Sequence, residues 1–198
     1  MTTTKKLVIA VVALSLALIA FAGTTLAWLT STPDAVTNTF TAGDVAIILN
    51  EAPTDEYGVI IDGVARRTAN TYKLVPGREY EKDPTVFVQA NSEECYVFVK
   101  IANQLVGVID ESTDIDTQIL ANGWTALAGY ENIYYKVVPS ASTETKLVVF
   151  DGFKVDEEAD NDVIKNNDGN TIIVTAYAVQ EYGFDSAVEA WEENFKNK

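Results

Sequence analysis

Short apolar runs recur along the chain from about residue 45 onward, each closed by a cluster of turn residues, while helical periodicity is mostly absent. That rhythm predicts an all-β protein, a sandwich or barrel of short antiparallel strands. Val45, Ile47 and Leu49 fall on one face of an extended segment, and Ala46 and Ile48 on the other. With both faces apolar, a central strand is expected there, ended by Pro53, Asp55 and Gly58. Val59-Ile60-Ile61 runs into Asp62-Gly63, a pair that supplies positive φ for a hairpin turn. Tyr72-Lys73-Leu74-Val75 leads to a second turn at Pro76-Gly77, and residues 65–71 between them are polar and loop-like.

The runs at 85–89 and 95–102 are the richest in β-branched and aromatic residues. Separated only by Asn91-Ser92-Glu93-Glu94, they are expected to pair antiparallel in the body of one sheet. Residues 105–121 read two ways, as strand ends or as a short helix around 114–120. Gly123-Trp124 opens an aromatic stretch with Tyr130, Tyr134 and Tyr135, and Val137-Val138 with 146–150 predicts a hairpin across 139–145. The acidic stretch 156–162 reads as a surface loop or short helix, and Asn166-Asn167-Asp168-Gly169 turns the chain into a strand over 171–179. Asp185 or Ser186 then caps a short C-terminal helix, with Glu189 in the first turn and an apolar stripe of Ala187, Val188, Ala190, Trp191 and Phe195.

The first 27 residues follow a different rule. Lys5 and Lys6 precede an apolar run from Leu7 to Ala22 broken only by Ser15, and Gly23-Thr24-Thr25-Leu26-Ala27 follows. Charged, apolar and small-residue regions in that order predict a secretory signal helix, cleaved between Ala27 and Trp28. The run is shorter than the roughly 20 residues of a spanning helix, which leaves an uncleaved anchor as the alternative. The mature part, residues 28–198, is then expected to form a single domain outside the cell, since the last residues carry no hydrophobic tail or evident wall-sorting signal.

Charge and chemistry narrow the function. The chain carries a formal net charge of −15, and loss of the two signal lysines makes the mature part more acidic still. Such a field repels nucleic acid and anionic lipid, so no nucleic-acid partner is expected. The one cysteine, Cys95, rules out an intramolecular disulfide and reads as a small buried apolar side chain. Without any His, the usual Ser or Cys hydrolase triads and zinc peptidase ligand sets lose their commonest member. The acids at 156–162 lack the ligand spacing of a helix-loop-helix calcium site, and no phosphate-cradling Gly loop appears. No catalytic residue, metal site or cofactor is therefore expected, and Arg66-Arg67 reads as a loop detail.

Three groups of residues carry a resemblance. Gly23-Thr24-Thr25-Leu26-Ala27-Trp28-Leu29-Thr30 is followed by Asn38-Thr39-Phe40-Thr41-Ala42-Gly43-Asp44; Val75-Pro76-Gly77 precedes Cys95-Tyr96-Val97-Phe98-Val99-Lys100; and Thr175-Ala176-Tyr177-Ala178-Val179-Gln180 precedes Gly183-Phe184 and Ala190-Trp191. In this order behind a signal segment they resemble the TasA/camelysin family of exported proteins. The resemblance implies a jelly-roll-like antiparallel β-sandwich, processing by a SipW-type signal peptidase, and self-association into biofilm matrix fibres, with other matrix or fibre-anchoring proteins as further partners. It also implies that an N-terminal strand of one subunit completes a sheet of the next. Here that donor would be residues 28–40, with Trp28, Leu29, Val36 and Phe40 as anchors; an ordinary first strand of its own domain is the alternative. The family's older metallopeptidase label finds no His here to bind zinc. A secreted hydrolase and a cell-surface adhesin or fibre accessory protein stand as the competing functions.

Overall fold

The computed structural model describes residues 44–197, and the signal segment and the 28–40 segment lie outside them. Among the described residues nine strands form in chain order: β1 (Ile47–Asn50), β2 (Glu79–Glu81), β3 (Thr85–Val88), β4 (Cys95–Asn103), β5 (Thr125–Ala126), β6 (Ile133–Val138), β7 (Thr145–Val148), β8 (Gly152–Lys154) and β9 (Ile172–Gln180). The helices are short: α1 (Ile115–Ala121), α2 (Asn161–Asn166) and α3 (Ala187–Asn194). The strands assemble as a three-stranded sheet β1-β3-β7, a pair β2-β8 and a four-stranded sheet β5-β6-β4-β9. All pairings are antiparallel, so the fold is all-β as the apolar rhythm predicts.

Strand β4 explains why the run 95–99 is apolar without alternation. Its alternate residues Cys95, Val97, Val99 and Ile101 face one core, together with Val86 and Val88 of β3 and Leu147 of β7, so inward side chains of both larger sheets share it. Tyr96 and Phe98 point the other way, into a second core beneath α3. A strand buried on both faces has no polar positions to alternate with. Burial pushes the Cys95 thiol up to about 11, the behaviour of an inert core cysteine.

Helix α3 covers that second face for reasons written locally. Ser186 caps it by accepting the Glu189 N–H (3.2 Å), and Glu189 Oε2 accepts the Asp185 N–H (2.6 Å). Ala187, Ala190 and Trp191 are buried, and the Trp191 ring lies 5.3 Å from Phe98 and 5.4 Å from Tyr177. The predicted helix near 114–120 is α1, with Asp114 accepting the Thr117 N–H (2.8 Å) and Ile115 and Ile119 buried.

A third, smaller cluster surrounds Tyr80, which stacks on Phe153 across the β2-β8 pair (5.1 Å, 8°). The two strands approach so closely that a Cβ at Gly152 would strike the Tyr80 carbonyl oxygen, so only glycine fits there.

Several sequence expectations are corrected. The runs at 85–89 and 95–102 are strands but not partners: β3 pairs with β1 and β7, whereas β4 pairs with β6 and β9. The linker between them crosses from one sheet to the other, held by Gln89 N–H to Ala46 O and Glu93 N–H to Asp44 O. Similarly, β6 and β7 are not a hairpin but belong to different sheets. In both cases the inward faces reach the same core, so an apolar pattern cannot tell a neighbour from an opposite. Among the described residues strand β1 is an edge strand and not a central one, since it pairs only with β3 there and Ile48 is 49% exposed.

Val59-Ile60-Ile61 and Tyr72-Lys73-Leu74-Val75 are not strands, apart from one isolated bridge between Thr54 and Ile60. They belong to a long connection from residue 51 to 78. Arg66 fastens it: the guanidinium donates to Asn50 Oδ1 (2.5 Å), Asp83 Oδ2 (2.7 Å), Asp83 O (2.9 Å) and Thr85 Oγ1 (3.0 Å), and lies 5.5 Å above the Phe87 ring. That residue is a fastening bolt, and not the loop detail it looks like in the sequence.

Candidate assembly edge

The two larger sheets are not sealed equally around their shared core. Its fully buried members come from β3, β4, β6, β7 and α1 with Trp124, Val149 and Phe150. The residues packed against it but only half-buried are chiefly Val45, Ile47 and Leu49 at β1, and Ile172, Val174, Ala176 and Ala178 along β9. The leak in the core therefore runs along two edge strands.

Strand β9 is the longer of these edges. All nine of its residues pair with β4, from Gln180 opposite Cys95 to Ile172 opposite Asn103. On its other side no strand pairs with it among the described residues. An antiparallel edge turns alternate N–H and C=O groups outward, so β9 presents a row of unused backbone donors and acceptors. Natural edges are commonly blunted by Lys, Pro, a charge or a bulge. Ile172-Ile173-Val174-Thr175-Ala176-Tyr177-Ala178-Val179-Gln180 contains none of those residues, and Ile173 is 49% exposed on its outer face. The short edge β1, Ile47-Ile48-Leu49-Asn50, is also uncharged.

At one end the margin opens into a cavity of about 1040 Å³ whose lining includes Leu49, Tyr72, Leu74, Leu105, Ile172 and Val174. Polar residues, among them Glu51, Asn70 and Lys82, share the walls with these apolar side chains. Burial pushes the Tyr72 phenol there up to about 12.

The residues that sequence reasoning assigned to cleavage and assembly, Ala27, Trp28, Leu29, Val36 and Phe40, lie outside the described residues. What the structure does describe is the margin that an added strand would meet. Sequence reasoning singled out the donor segment and missed this edge. The available signal was a nine-residue β run with no charge, Gly or Pro, which pattern alone reads as an interior strand.

Among the described residues, no group of three or more His, Cys, Asp or Glu side chains converges as a metal site, and no helix is long and apolar enough to cross a membrane. No protein-family model, curated protein or solved structure matches the chain.

Proposed function

We propose that this chain is a secreted structural protein of the extracellular or biofilm matrix, a jelly-roll-like β-sandwich that forms fibres by strand addition between subunits. The observation that carries this reading is the uncharged, unblunted β9 edge beside a core left half-open along β1 and β9. An incoming strand there gains a ladder of backbone hydrogen bonds, and its alternate apolar side chains cover the exposed flank of the core. Residues 28–40 supply such a strand. Thirteen residues span about 43 Å when extended, more than the nine of β9 require. In an extended 28–40 segment Trp28, Val36 and Phe40 fall on one face and Leu29 on the other, and Pro33-Asp34 divides the Thr-rich run into two stretches.

The resemblance to TasA/camelysin proteins adds export through a SipW-type signal and a matrix location. An acidic surface keeps such subunits soluble until they meet.

Electron microscopy of the mature protein tests this directly. Filaments are expected from residues 28–198 and none from a chain lacking 28–40. Persistent monomers from the mature chain at high concentration and varied pH contradict self-assembly. A chain that binds fibres of another subunit but does not polymerise is instead the accessory protein, and turnover abolished by one carboxylate substitution marks the hydrolase.

A further inference from the structure

Beside the β2-β8 pair, Glu51 gathers two side chains that the fibre reading does not use, Lys82 and Asn70, at its two carboxylate oxygens. Lys82 is buried, and its Nζ donates to Glu51 Oε2 at 2.5 Å. Glu51 is buried too, and its other oxygen, Oε1, accepts from Asn70 Nδ2 at 2.9 Å. One carboxylate thus holds an amine and a carboxamide at once. The carboxamide is oriented unambiguously: Nδ2 also donates to Ala52 O (2.8 Å), and Oδ1 accepts the Thr54 N–H (3.0 Å). The Tyr72 ring lies 5.9 Å from Lys82 Nζ, and Tyr80 and Phe153 pack edge-on against Tyr72 at 5.8 and 6.2 Å. Thr54 Oγ1, buried near the Tyr72 phenol, lacks a well-formed hydrogen bond.

We propose that Lys82 and Asn70 condense into an intramolecular isopeptide bond, with Glu51 as the proton carrier. Every part of an acyl transfer at an amide is present. Glu51 takes a proton from the Lys82 ammonium, and the freed Nζ lone pair attacks Asn70 Cγ. The negative charge that develops on Oδ1 meets the Thr54 N–H already aimed at it. Glu51 passes its proton to Nδ2, to which it is already bonded, the Cγ–Nδ2 bond breaks, and ammonia leaves. The remaining extra proton on Nζ returns to Glu51. The products are one secondary amide, one ammonia and a neutral carboxyl, and no oxidant or cofactor is consumed. Glu51, Asn70, Tyr72 and Lys82 all line the 1040 Å³ cavity, which gives the ammonia a way out.

Two physical arguments favour reaction over a permanent ion pair. A buried charge pair carries a desolvation penalty that condensation removes by discharging both partners. Nucleophile, electrophile and proton carrier are also fixed by the fold, so the reaction is effectively unimolecular. The bond would lock the long connection that follows β1 onto the chain entering β3. A subunit under tension in a fibre would then keep that connection in place without a disulfide, which its single cysteine cannot form.

Mass spectrometry of the purified full chain decides the matter. The expected intact mass is lower than the sequence mass by one ammonia. A tryptic digest should contain a branched peptide joining residues 68–73 to residues 79–100, with cleavage after Lys82 blocked. Glu51→Gln and Lys82→Arg should each restore the full mass. Asn70→Asp should give the same cross-linked mass as the unaltered chain, because it sheds water in place of ammonia to reach the same amide. An unaltered wild-type mass with both peptides free overturns the proposal, whether or not any variant folds. Loss of water from the wild-type chain also overturns it, because that places the bond on Glu51.

Discussion

The two flanks of the four-stranded sheet are finished to different degrees. Under α3, Phe98, Ala190 and Trp191 are buried by this chain's own residues, and the rings of Tyr96, Tyr130, Tyr135, Tyr177 and Phe195 interlock with Phe98 and Trp191. Along β1 and β9 the same sheet system ends in half-buried Ile47, Leu49, Val174 and Ala178, with a backbone edge that no strand among the described residues pairs. The chain does not lack apolar material, since it closes one flank completely. Among the described residues the open margin is therefore a matter of where covering side chains are placed, and it is the place where the proposed added strand would have to sit.

Breaking the closed flank should have the largest effect. Trp191→Ala removes the ring at the centre of the second core and is expected to cost about 3–5 kcal/mol, read from the urea midpoint. Trp191→Phe should cost clearly less, because it keeps most ring contacts and deletes an indole N–H that is buried without an acceptor.

Alkaline pH should sharpen the contrast by loading the open side. Burial pushes Tyr72 up to about 12 and Cys95 up to about 11, from ordinary values of 10.0 and 9.0, and it raises Tyr134 as well. Since these groups ionise more easily in the unfolded chain, their stabilisation is complete below about pH 9 and is lost as pH rises through the folded values. The loss is at most about 1.4 kcal/mol per pH unit for each group, and less for Tyr72, which is partly open to solvent. Urea midpoints at about pH 8 and about pH 11, with tyrosinate absorbance, would show it.

Altering the open edge should leave the fold nearly untouched. Ile173→Lys places a charge on the exposed outer face of β9 and is expected to change stability by less than about 1 kcal/mol while abolishing filaments. Equal loss of stability and assembly would merge the two flanks into one and defeat the comparison.

Strand positions were largely legible because β runs announce themselves by composition and alternation. β3, β4, β9 and α3 all lie within a residue or two of their expected places. Partnerships were not legible, because Val86 and Val97 face one core from opposite sheets and nothing local distinguishes that from adjacency. The edge was hidden for a related reason: β9 has the residues of a covered strand, and only the lack of a second partner among the described residues reveals it. Arg66 reads in the sequence as a loop detail, and nothing local marks Lys82. Their partners Asn50, Asp83, Glu51 and Asn70 are distant in sequence and meet only through the fold.

Amide hydrogen exchange on β9 tests the central claim most directly. A chain lacking residues 28–40 is mixed with a peptide of that sequence, and exchange is followed residue by residue over Ile172–Gln180. Alternate β9 amides, fast in the shortened chain alone, are expected to become protected when the peptide is added and equally in filaments of the mature protein. Unchanged β9 exchange in filaments that nevertheless form would place the contact elsewhere and contradict that claim.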